Sequence, residues 1–371
     1  MLFTFNLQST LHSFLSQYPR TQICILSGIQ SSMGLDTTEM PYPVFTMPKG
    51  EENKSLETVQ QIWDFMLKNH ITRRGLMVNI GGGITTDLGG FAASTYKRGV
   101  DFLNVPTTLL AMVDASSGGK TGFNYHTLKN CIGTFAEPIE TIICPTFLKT
   151  LSEREFLSGF AEMLKHALLS SPKDWQQLLA FDLDGYLASL HSAQDASREK
   201  TDKANMAICS FAPLIETSLN IKQRIVDADP HEQGLRHALN FGHTVGHALE
   251  SLALEQHTTP QPPHGYCVLW GMIAELYLSV VRLGCPREPL QQLTRLLLDY
   301  YGRPICHCKD HARLLELMLQ DKKNSVSPEA GDHPQEVKTN FTLLRQIGIP
   351  LINQTPSISD INESLDYLFS L

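Results

Sequence analysis

Two histidines stand one helical turn apart in the segment Asn-Phe-Gly-His-Thr-Val-Gly-His. His243 and His247 are spaced i, i+4, so on a helix both imidazoles lie on one face and can share a divalent cation. Thr244 follows His243 where the zincin motif has a glutamate, which excludes that motif. His264 precedes a long apolar stretch, and with Glu162 and His243 it completes the two-histidine, one-carboxylate set typical of catalytic zinc. Taken singly, a histidine at such positions is more often a hydrogen-bonded core residue.

Glu162 also belongs to a second pair of charged residues. It is spaced i, i+3 from Lys165 within the apolar segment Gly-Phe-Ala-Glu-Met-Leu-Lys, so both side chains point the same way on a helix. A buried carboxylate beside a lysine must be ion-paired or bound to a metal. The alternative interpretation is an internal salt bridge without a catalytic role.

A glycine-rich turn at residues 81–87 follows a predicted strand and precedes a helical pattern. Main-chain N–H groups at such a helix N-terminus can bind a pyrophosphate, although the spacing differs from the Rossmann fingerprint and also suits a plain turn. Residues 105–114, residues 118–122 and the pair Lys129 and Asn130 add hydroxyls, glycines and lysines suited to phosphate contacts. The alternative is a polar surface loop, but apolar residues run through this stretch.

The bulk composition restricts the class of protein. A length of 371 residues favours two domains, and 42% hydrophobic with 18% charged residues is typical of a globular protein. The net charge of −8 argues against a nucleic-acid partner. We expect no membrane association, because no segment approaches a membrane-spanning apolar run. The N-terminus lacks a secretory signal, and eight cysteines without framework spacing indicate reduced thiols, so we expect a cytoplasmic protein.

The elements that must position these residues change in character along the chain. Short apolar runs at residues 21–26, 76–80, 102–105 and 141–144 predict strands, and Ser55 is placed to cap an amphipathic helix between the first two. Ser152 and Glu155 form a capping box, after which a helical pattern continues almost to the end. The sequence therefore predicts an α/β nucleotide-binding domain with a parallel sheet over residues 1–150 and an all-α domain over residues 151–371.

In combination, these segments resemble the 3-dehydroquinate synthase family of sugar-phosphate cyclases from about Gly50 to about Lys323. The motifs occur in family order: the glycine turn with Asp87, residues 96–99 (Tyr-Lys-Arg-Gly), residues 106–109 (Pro-Thr-Thr-Leu), residues 118–122, Lys129 with Asn130, residues 161–165 (Ala-Glu-Met-Leu-Lys), residues 240–247 and residues 321–323 (Asp-Lys-Lys). The resemblance implies NAD and Zn²⁺, or Co²⁺, as cofactors, and a homodimer.

The resemblance also implies roles for individual residues. The metal ligands would be Glu162, His243 and His264. NAD would be held by Glu51, Lys54, Gly82, Gly83, Asp87, Thr107, Thr108, Asp114, Lys120 and Lys129. The anionic sugar phosphate would be held by Lys120, Lys129, Asn130, Lys165, Lys222, Arg236, Asn240, His247 and one lysine of the pair Lys322 and Lys323. Arg98 would reach across a dimer interface, and Lys165 with His247 would transfer protons near the metal.

The family reaction converts 3-deoxy-D-arabino-heptulosonate 7-phosphate into 3-dehydroquinate and phosphate, by transient oxidation with NAD, phosphate elimination, reduction and intramolecular aldol closure. The gathered cations suit a phosphate and a carboxylate. One alternative is another sugar-phosphate cyclase, such as a 2-deoxy-scyllo-inosose or valiolone-type synthase. Others are an NAD-dependent polyol dehydrogenase of the same fold, or a catalytically silent relative.

The sequence departs from the family pattern at three places. Tyr266 replaces the usual glutamate after the His-Gly pair, which affects the support of His264. No acid follows the strand ending near Leu26, where the family places a carboxylate for the adenine-side ribose. The stretch before His264 is longer than usual and contains His257, an alternative metal ligand.

Overall fold

The computed structural model describes residues 1–28, 41–125, 128–192, 198–304, 306, 308–320 and 339–371. The chain forms two compact units. The first contains Met1–Phe156 and Asp182–Leu219, and the second contains Leu157–Phe181 and Asn220–Leu371. The segment Asp182–Leu219 belongs to the first unit although its sequence pattern does not distinguish it from the helices around it. The division into domains at residue 150 stays a prediction.

The helices and strands alternate first and then become mainly helical. In chain order they are β1 (Leu2–Phe3), α1 (Leu7–Leu15), β2 (Ile23–Ser27), β3 (Val44–Thr46), α2 (Leu56–Lys68), β4 (Leu76–Gly81), α3 (Gly83–Thr95), β5 (Asp101–Pro106), β6 (Lys120–Tyr125), β7 (Leu128–Phe135), β8 (Glu140–Ile143), α4 (Glu153–Ser170), α5 (Pro172–Leu179), α6 (Leu183–Ser192), α7 (Arg198–Ala228), α8 (His243–Glu255), α9 (His264–Leu283), α10 (Glu288–Leu296), α11 (His311–Gln320), β9 (Phe341–Gln346), β10 (Ile349–Gln354) and α12 (Ile358–Ser370).

A parallel sheet forms the centre of the first unit, as predicted. Its strands are hydrogen-bonded in the order β1-β8-β5-β4-β2-β3, and every neighbouring pair is parallel. β2 and β4 are buried along their whole length, which explains their uninterrupted apolar runs. Gly81 pairs with Pro106 at the ends of β4 and β5, so the glycine turn and Thr107 start from one edge of the sheet.

The predicted helix caps are confirmed. The Ser55 hydroxyl accepts a hydrogen bond from the Thr58 amide (3.4 Å) at the start of α2. At the start of α4, Ser152 Oγ accepts from the Glu155 amide (3.3 Å), and Glu155 Oε2 accepts from the Ser152 amide (3.3 Å). These bonds satisfy amides that have no partner within the helix, so both helices begin where the sequence indicates.

Glycines allow α8 and α9 to pack closely in the second unit. A Cβ atom at Gly246 would lie 2.8 Å from the carbonyl oxygen of Cys267, and one at Gly271 would lie 2.7 Å from the Gly246 amide nitrogen. Real Cβ atoms do not tolerate such distances, so the two backbones are in contact. This close packing holds the helices that begin with His243 and His264 at a fixed separation.

The second unit is mainly helical, as predicted, and it also contains a β-hairpin that the sequence analysis did not identify. β9 and β10 are antiparallel, with Gly348 at positive φ (80°) between them. The hairpin joins the helices through two hydrogen bonds, from the Leu344 amide to Ser279 Oγ and from the Gly348 amide to the Leu168 carbonyl, both 2.9 Å. Its strands are short and lie within a mainly helical sequence. The change from the helical apolar period of about 3.6 residues to the strand period of two is therefore hard to detect.

α9 is the central helix of the second unit. Among the described residues it is the helix that has the length and apolar composition to cross a membrane, which corrects the expectation that no segment approaches such a span. However, 67% of its apolar window is buried within the protein. It packs against α8, α12 and β9, so its apolar surface is explained by the protein core.

Candidate active site

α4 carries a buried ion pair on one face. The exposed fractions of Glu162 and Lys165 are 0% and 1%, and Lys165 Nζ lies 2.5 Å from Glu162 Oε2. A carboxylate at this depth requires a compensating charge, which the lysine supplies. Glu162 and Lys165 therefore form a buried ion pair in the interior of the second unit.

The other oxygen of Glu162 faces two histidines. Oε1 lies 3.6 Å from His243 Nε2 and 3.5 Å from His264 Nε2. Donor atoms at about 2.0–2.2 Å from a tetrahedral zinc ion are about 3.3–3.6 Å from one another. These two separations and the donor set therefore fit a small divalent cation, which the three side chains would hold with one position open for substrate.

The remaining ring nitrogens of the two histidines have oxygen partners. His243 Nδ1 lies 3.2 Å from the Phe241 carbonyl, and His264 Nδ1 lies 3.3 Å from Glu250 Oε2. Because a carbonyl and a carboxylate accept hydrogen bonds, each ring donates through Nδ1 and directs Nε2 toward Glu162. Burial alone would lower the pKa of His264, but hydrogen bonds to Glu162 and Glu250 raise it to about 9.

Glu250 supplies the carboxylate beside His264 that Tyr266 cannot supply. The Tyr266 ring packs edge-on against Tyr301, with ring centroids 4.8 Å apart, and lies 6.4 Å from Trp270. Burial raises the pKa of Tyr301 well above its usual range, and its hydroxyl donates to the Leu157 carbonyl (2.9 Å). Tyr266 thus belongs to an aromatic cluster, and the carboxylate beside His264 comes from α8.

His247 completes a group of three histidines. Its ring centroid lies 5.2 Å from that of His243 and 5.8 Å from that of His264, and one ring nitrogen of each residue lies within 4.8 Å of the other two. His257 is exposed and lies outside this group. The geometry brings His247 beside the predicted metal position, while the assignment of Glu162, His243 and His264 as ligands stays a prediction.

Glu275 on α9 caps the helix that carries the first two histidines. Gly242, at φ 80°, is the N-cap of α8, and its amide donates to Glu275 Oε2 (2.6 Å). The Val245 amide donates to Glu275 Oε1 at 3.4 Å. The side chain is fully buried (0% exposed), and its two hydrogen bonds place the carboxyl group at the N-terminus of α8, the positive end of the helix dipole. Sequence reasoning missed Glu275, although an acid within the apolar run Met-Ile-Ala-Glu-Leu is a detectable signal.

Arg236 is held by a loop that Asp229 organises. The Asp229 carboxylate accepts hydrogen bonds from the amides of Gln233, Gly234 and Arg236, at 2.9, 2.7 and 3.1 Å. These bonds lower the pKa of Asp229, with the Gln233 amide contributing most. The Arg236 guanidinium donates to the Pro230 carbonyl (2.7 Å) and is 2% exposed. Asp229 is a second residue that the sequence analysis missed.

The other predicted substrate residues of the second unit lie on neighbouring elements. Lys222 is a buried residue of α7 (6% exposed), and Asn240 ends the short 3₁₀ helix Leu235–Asn240 that contains Arg236. Thr342 of the hairpin donates to the His237 carbonyl in that helix (2.9 Å). Lys322 and Lys323 lie outside the described residues.

In the first unit the glycine turn forms the N-terminus of α3. Gly82 is the N-cap and Gly83 the first helical residue, so amides at the start of α3 have no carbonyl partner within the helix. The Thr107 amide donates to the Gly81 carbonyl (2.9 Å), which joins the segment after β5 to the turn. A Cβ atom at Gly82 would lie 3.3 Å from Thr108 Cγ2. The turn has the form of an anion-binding helix terminus.

Charged residues beside this turn are paired with one another. Lys54 Nζ lies 2.5 Å from Asp87 Oδ2. Glu51 Oε1 accepts from Asn124 Nδ2 (2.9 Å) and lies 4.0 Å from Lys129 Nζ. Their mutual contacts bring four of the predicted cofactor residues into two pairs, and Asn124 is a further residue that the sequence analysis did not single out.

The remaining predicted residues of the first unit lie in two segments. Asp114 is part of the π-helical segment Ala111–Ala115, and Lys120 begins β6. Asn130 adopts positive φ (47°), and its amide donates to Asn124 Oδ1 at 2.9 Å. Arg98 lies in an exposed turn where its φ is 68°. The shared role of these four residues stays a prediction.

Comparison with known proteins places the chain in a family. Two family models match in succession, 3-dehydroquinate synthase N-terminal over residues 44–158 and 3-dehydroquinate synthase C-terminal over residues 159–324. A 3-dehydroquinate synthase from Parabacteroides distasonis is 38% identical over 374 residues, a match that covers 98% of this chain and 95% of that protein.

Two solved structures share the fold. One is a 2-epi-5-epi-valiolone synthase from Streptomyces hygroscopicus subsp. jinggangensis with NAD⁺ and Zn²⁺ bound (TM-score 0.74, 24% identity, covering 94% of this chain and 90% of that one). The other is a 2-deoxy-scyllo-inosose synthase complexed with carbaglucose-6-phosphate, NAD⁺ and Co²⁺ (TM-score 0.73, 22% identity, covering 98% and 95%). At these identities the likeness concerns the fold, whereas the family models together match most of the sequence. The chain belongs to the 3-dehydroquinate synthase family.

Proposed function

We propose that this protein converts 3-deoxy-D-arabino-heptulosonate 7-phosphate into 3-dehydroquinate and phosphate, and so acts as a carbon–oxygen lyase. The observation that carries the proposal is the convergence of two imidazole Nε2 atoms on one oxygen of Glu162, while Lys165 holds the other oxygen. Membership of the 3-dehydroquinate synthase family restricts the set of candidate reactions, and the presence of this buried set of metal-binding donors opposes a catalytically silent relative.

Glu162, His243 and His264 would hold Zn²⁺ or Co²⁺, and the N-terminus of α3 with Lys54, Asp87 and Thr107 would hold NAD. When bound, the cation would supply Lewis-acid stabilisation of a substrate alkoxide, and NAD would supply the capacity to accept a hydride. Lys165 Nζ, which lies 2.5 Å from Glu162 Oε2, would hold that carboxyl group in place. His247, beside both ligand histidines, is placed to exchange a proton with a group bound there.

Cationic residues would bind the two anionic groups of the substrate. The bond from Arg236 to the Pro230 carbonyl fixes the plane of the guanidinium, and a fixed guanidinium binds a carboxylate or phosphate through parallel hydrogen bonds. We assign Lys222 and Asn240 to the same substrate, together with Lys120, Lys129 and Asn130 of the first unit. A substrate lacking the carboxylate would lose part of this binding energy.

We further propose a cytoplasmic homodimer in which Arg98 reaches the site of the partner subunit. Arg98 lies in an exposed turn that leads into Gly99 and Phe102, which line a groove with Phe135 and Ile139. Phe135 and Ile139 are 56% and 43% exposed, as expected for apolar side chains that a partner covers. Replacement of Phe135 by serine should shift the protein toward monomer in sedimentation velocity, and an unchanged sedimentation coefficient would contradict this interface.

The central test is a product balance. Purified protein is incubated with 3-deoxy-D-arabino-heptulosonate 7-phosphate, zinc and catalytic amounts of NAD. It should release phosphate and form 3-dehydroquinate in equal yield, without accumulation of NADH. Free NADH as a product would indicate a polyol dehydrogenase. Turnover of a sugar phosphate without the carboxylate, but not of the heptulosonate, would indicate another cyclase.

A further inference from the structure

Glu250 lies on the same face of α8 as the two histidines of that helix. His243, His247 and Glu250 are spaced i, i+4 and i+7, so their side chains follow one another along two turns. Glu250 is 8% exposed, and its Oε2 lies 3.3 Å from Nδ1 of His264. The contact connects α8 to the first residue of α9.

The contact between Glu250 and Nδ1 of His264 determines which ring nitrogen of His264 can bind a cation. A carboxylate accepts the Nδ1 proton, so Nε2, which faces Glu162 at 3.5 Å, is the nitrogen available to a cation. A carboxylate partner also restricts rotation of the ring and makes the imidazole a stronger donor. His264 needs this restraint because its side chain is 28% exposed, more than that of His243 at 11%.

Position 266, next but one along the chain, does not provide a carboxylate in this protein. Tyr266 is held in contact with Tyr301 at 4.8 Å between ring centroids. The acid that supports His264 therefore comes from α8, where the helix already fixes His243. One helix thus determines the placement of both imidazoles.

We propose that Glu250 is a positioning residue that fixes the tautomer and ring orientation of His264 and thereby sets the affinity of the site for a divalent cation. The proposal rests on the proposed metal site. It assigns Glu250 no contact with substrate and no part in proton transfer.

The test measures zinc affinity by competition with a chromophoric chelator for the full-length protein, Glu250→Gln and Glu250→Ala. A glutamine retains an oxygen acceptor for Nδ1 but loses the charge, so we expect zinc to bind about tenfold more weakly to Glu250→Gln and about 100-fold more weakly to Glu250→Ala. Glu255→Gln is the matched control, because Glu255 is exposed on the same helix and pairs with Arg313. Its zinc affinity should equal that of the wild type.

The visible spectrum of the Co²⁺-loaded proteins is a second measurement. A shift of its absorption bands reports a change at the cation, which a general loss of stability would not produce. We expect the absorption bands to shift in Glu250→Gln and to remain unchanged in Glu255→Gln. If both Glu250 variants bind zinc as the wild type does, while His264→Ala loses it, the role of Glu250 is overturned and the metal site stands. If the wild type and His264→Ala bind zinc equally, both proposals are overturned.

Discussion

In the second unit the predicted metal ligands are side chains that are 0–28% exposed. In the first unit the predicted cofactor residues combine main-chain groups with one largely buried ion pair, Lys54 with Asp87, and one partly exposed ion pair, Glu51 with Lys129. Glu162, Glu250 and Glu275 each contact a specific donor group near the predicted metal position. Around the glycine turn, Glu51 and Lys129 are 43% and 32% exposed and lie 4.0 Å apart.

The difference determines how each region responds to substitution. A buried charge that loses its partner cannot be solvated, so single changes in the second unit should be costly. Exposed pairs contribute little, and a main-chain anion site depends on the space around its amides more than on side-chain identity. The following predictions test this contrast, beginning with the largest expected effect.

Replacing His264 or His243 by alanine should abolish stoichiometric zinc binding and lower kcat/KM by at least about 10³-fold, since a catalytic cation contributes several kcal/mol of transition-state stabilisation. Metal analysis and steady-state kinetics would measure both effects. His257→Ala is the control, because His257 is exposed and lies outside the histidine group. Loss of zinc in the control would identify His257 as a ligand instead.

Replacing Glu275 by alanine should lower the free energy of unfolding by about 3 kcal/mol, because the buried amides of Gly242 and Val245 lose their acceptor. Denaturant unfolding of the metal-free protein would measure the change. Glu363→Ala removes an exposed carboxylate that accepts from the Tyr277 hydroxyl, and should cost less than about 1 kcal/mol. Equal losses of unfolding free energy in Glu275→Ala and Glu363→Ala would contradict the expected difference between buried and exposed carboxylates.

In the first unit, Gly82→Ala should weaken NAD binding about tenfold, or about 1.4 kcal/mol. The added Cβ atom lies 3.3 Å from Thr108 Cγ2 and occupies space that a pyrophosphate needs to reach the amides. The backbone of Gly82 has φ −76°, which alanine adopts without strain, so the thermal unfolding temperature should change little. Unchanged NAD affinity by calorimetry would show that the turn is not the anion site.

The smallest effect should come from Asp229→Asn, which retains an acceptor but weakens the bonds that hold the Arg236 loop. We expect KM to rise about threefold to fivefold with kcat nearly unchanged, as for a loss of uniform substrate binding. Because the pKa of Asp229 is lowered, the wild-type loop should be lost only as pH falls below the usual aspartate range. Asp227→Asn, an exposed change two residues away, should leave KM unchanged at every pH.

Local signals predicted much of this structure. The caps at Ser55 and Ser152, the buried strands and the histidine spacing each depend on residues close in sequence, and the structure confirms those elements. The residues that the sequence analysis missed act over longer separations, for example Glu275 on the amide of Gly242. The pairing of His264 with Glu250 likewise depends on how α8 and α9 pack, which no local pattern encodes.

The glycine contact between α8 and α9 has a consequence for metal preference. Gly246 and Gly271 bring two backbones together at positions that bear no ligand, and a single added methyl group there would force the helices apart. The distance between His243 and His264 would then increase, so the proposed metal site would accommodate a larger cation. Substitutions at these glycines would therefore change which cation the protein selects, without altering any atom that touches it.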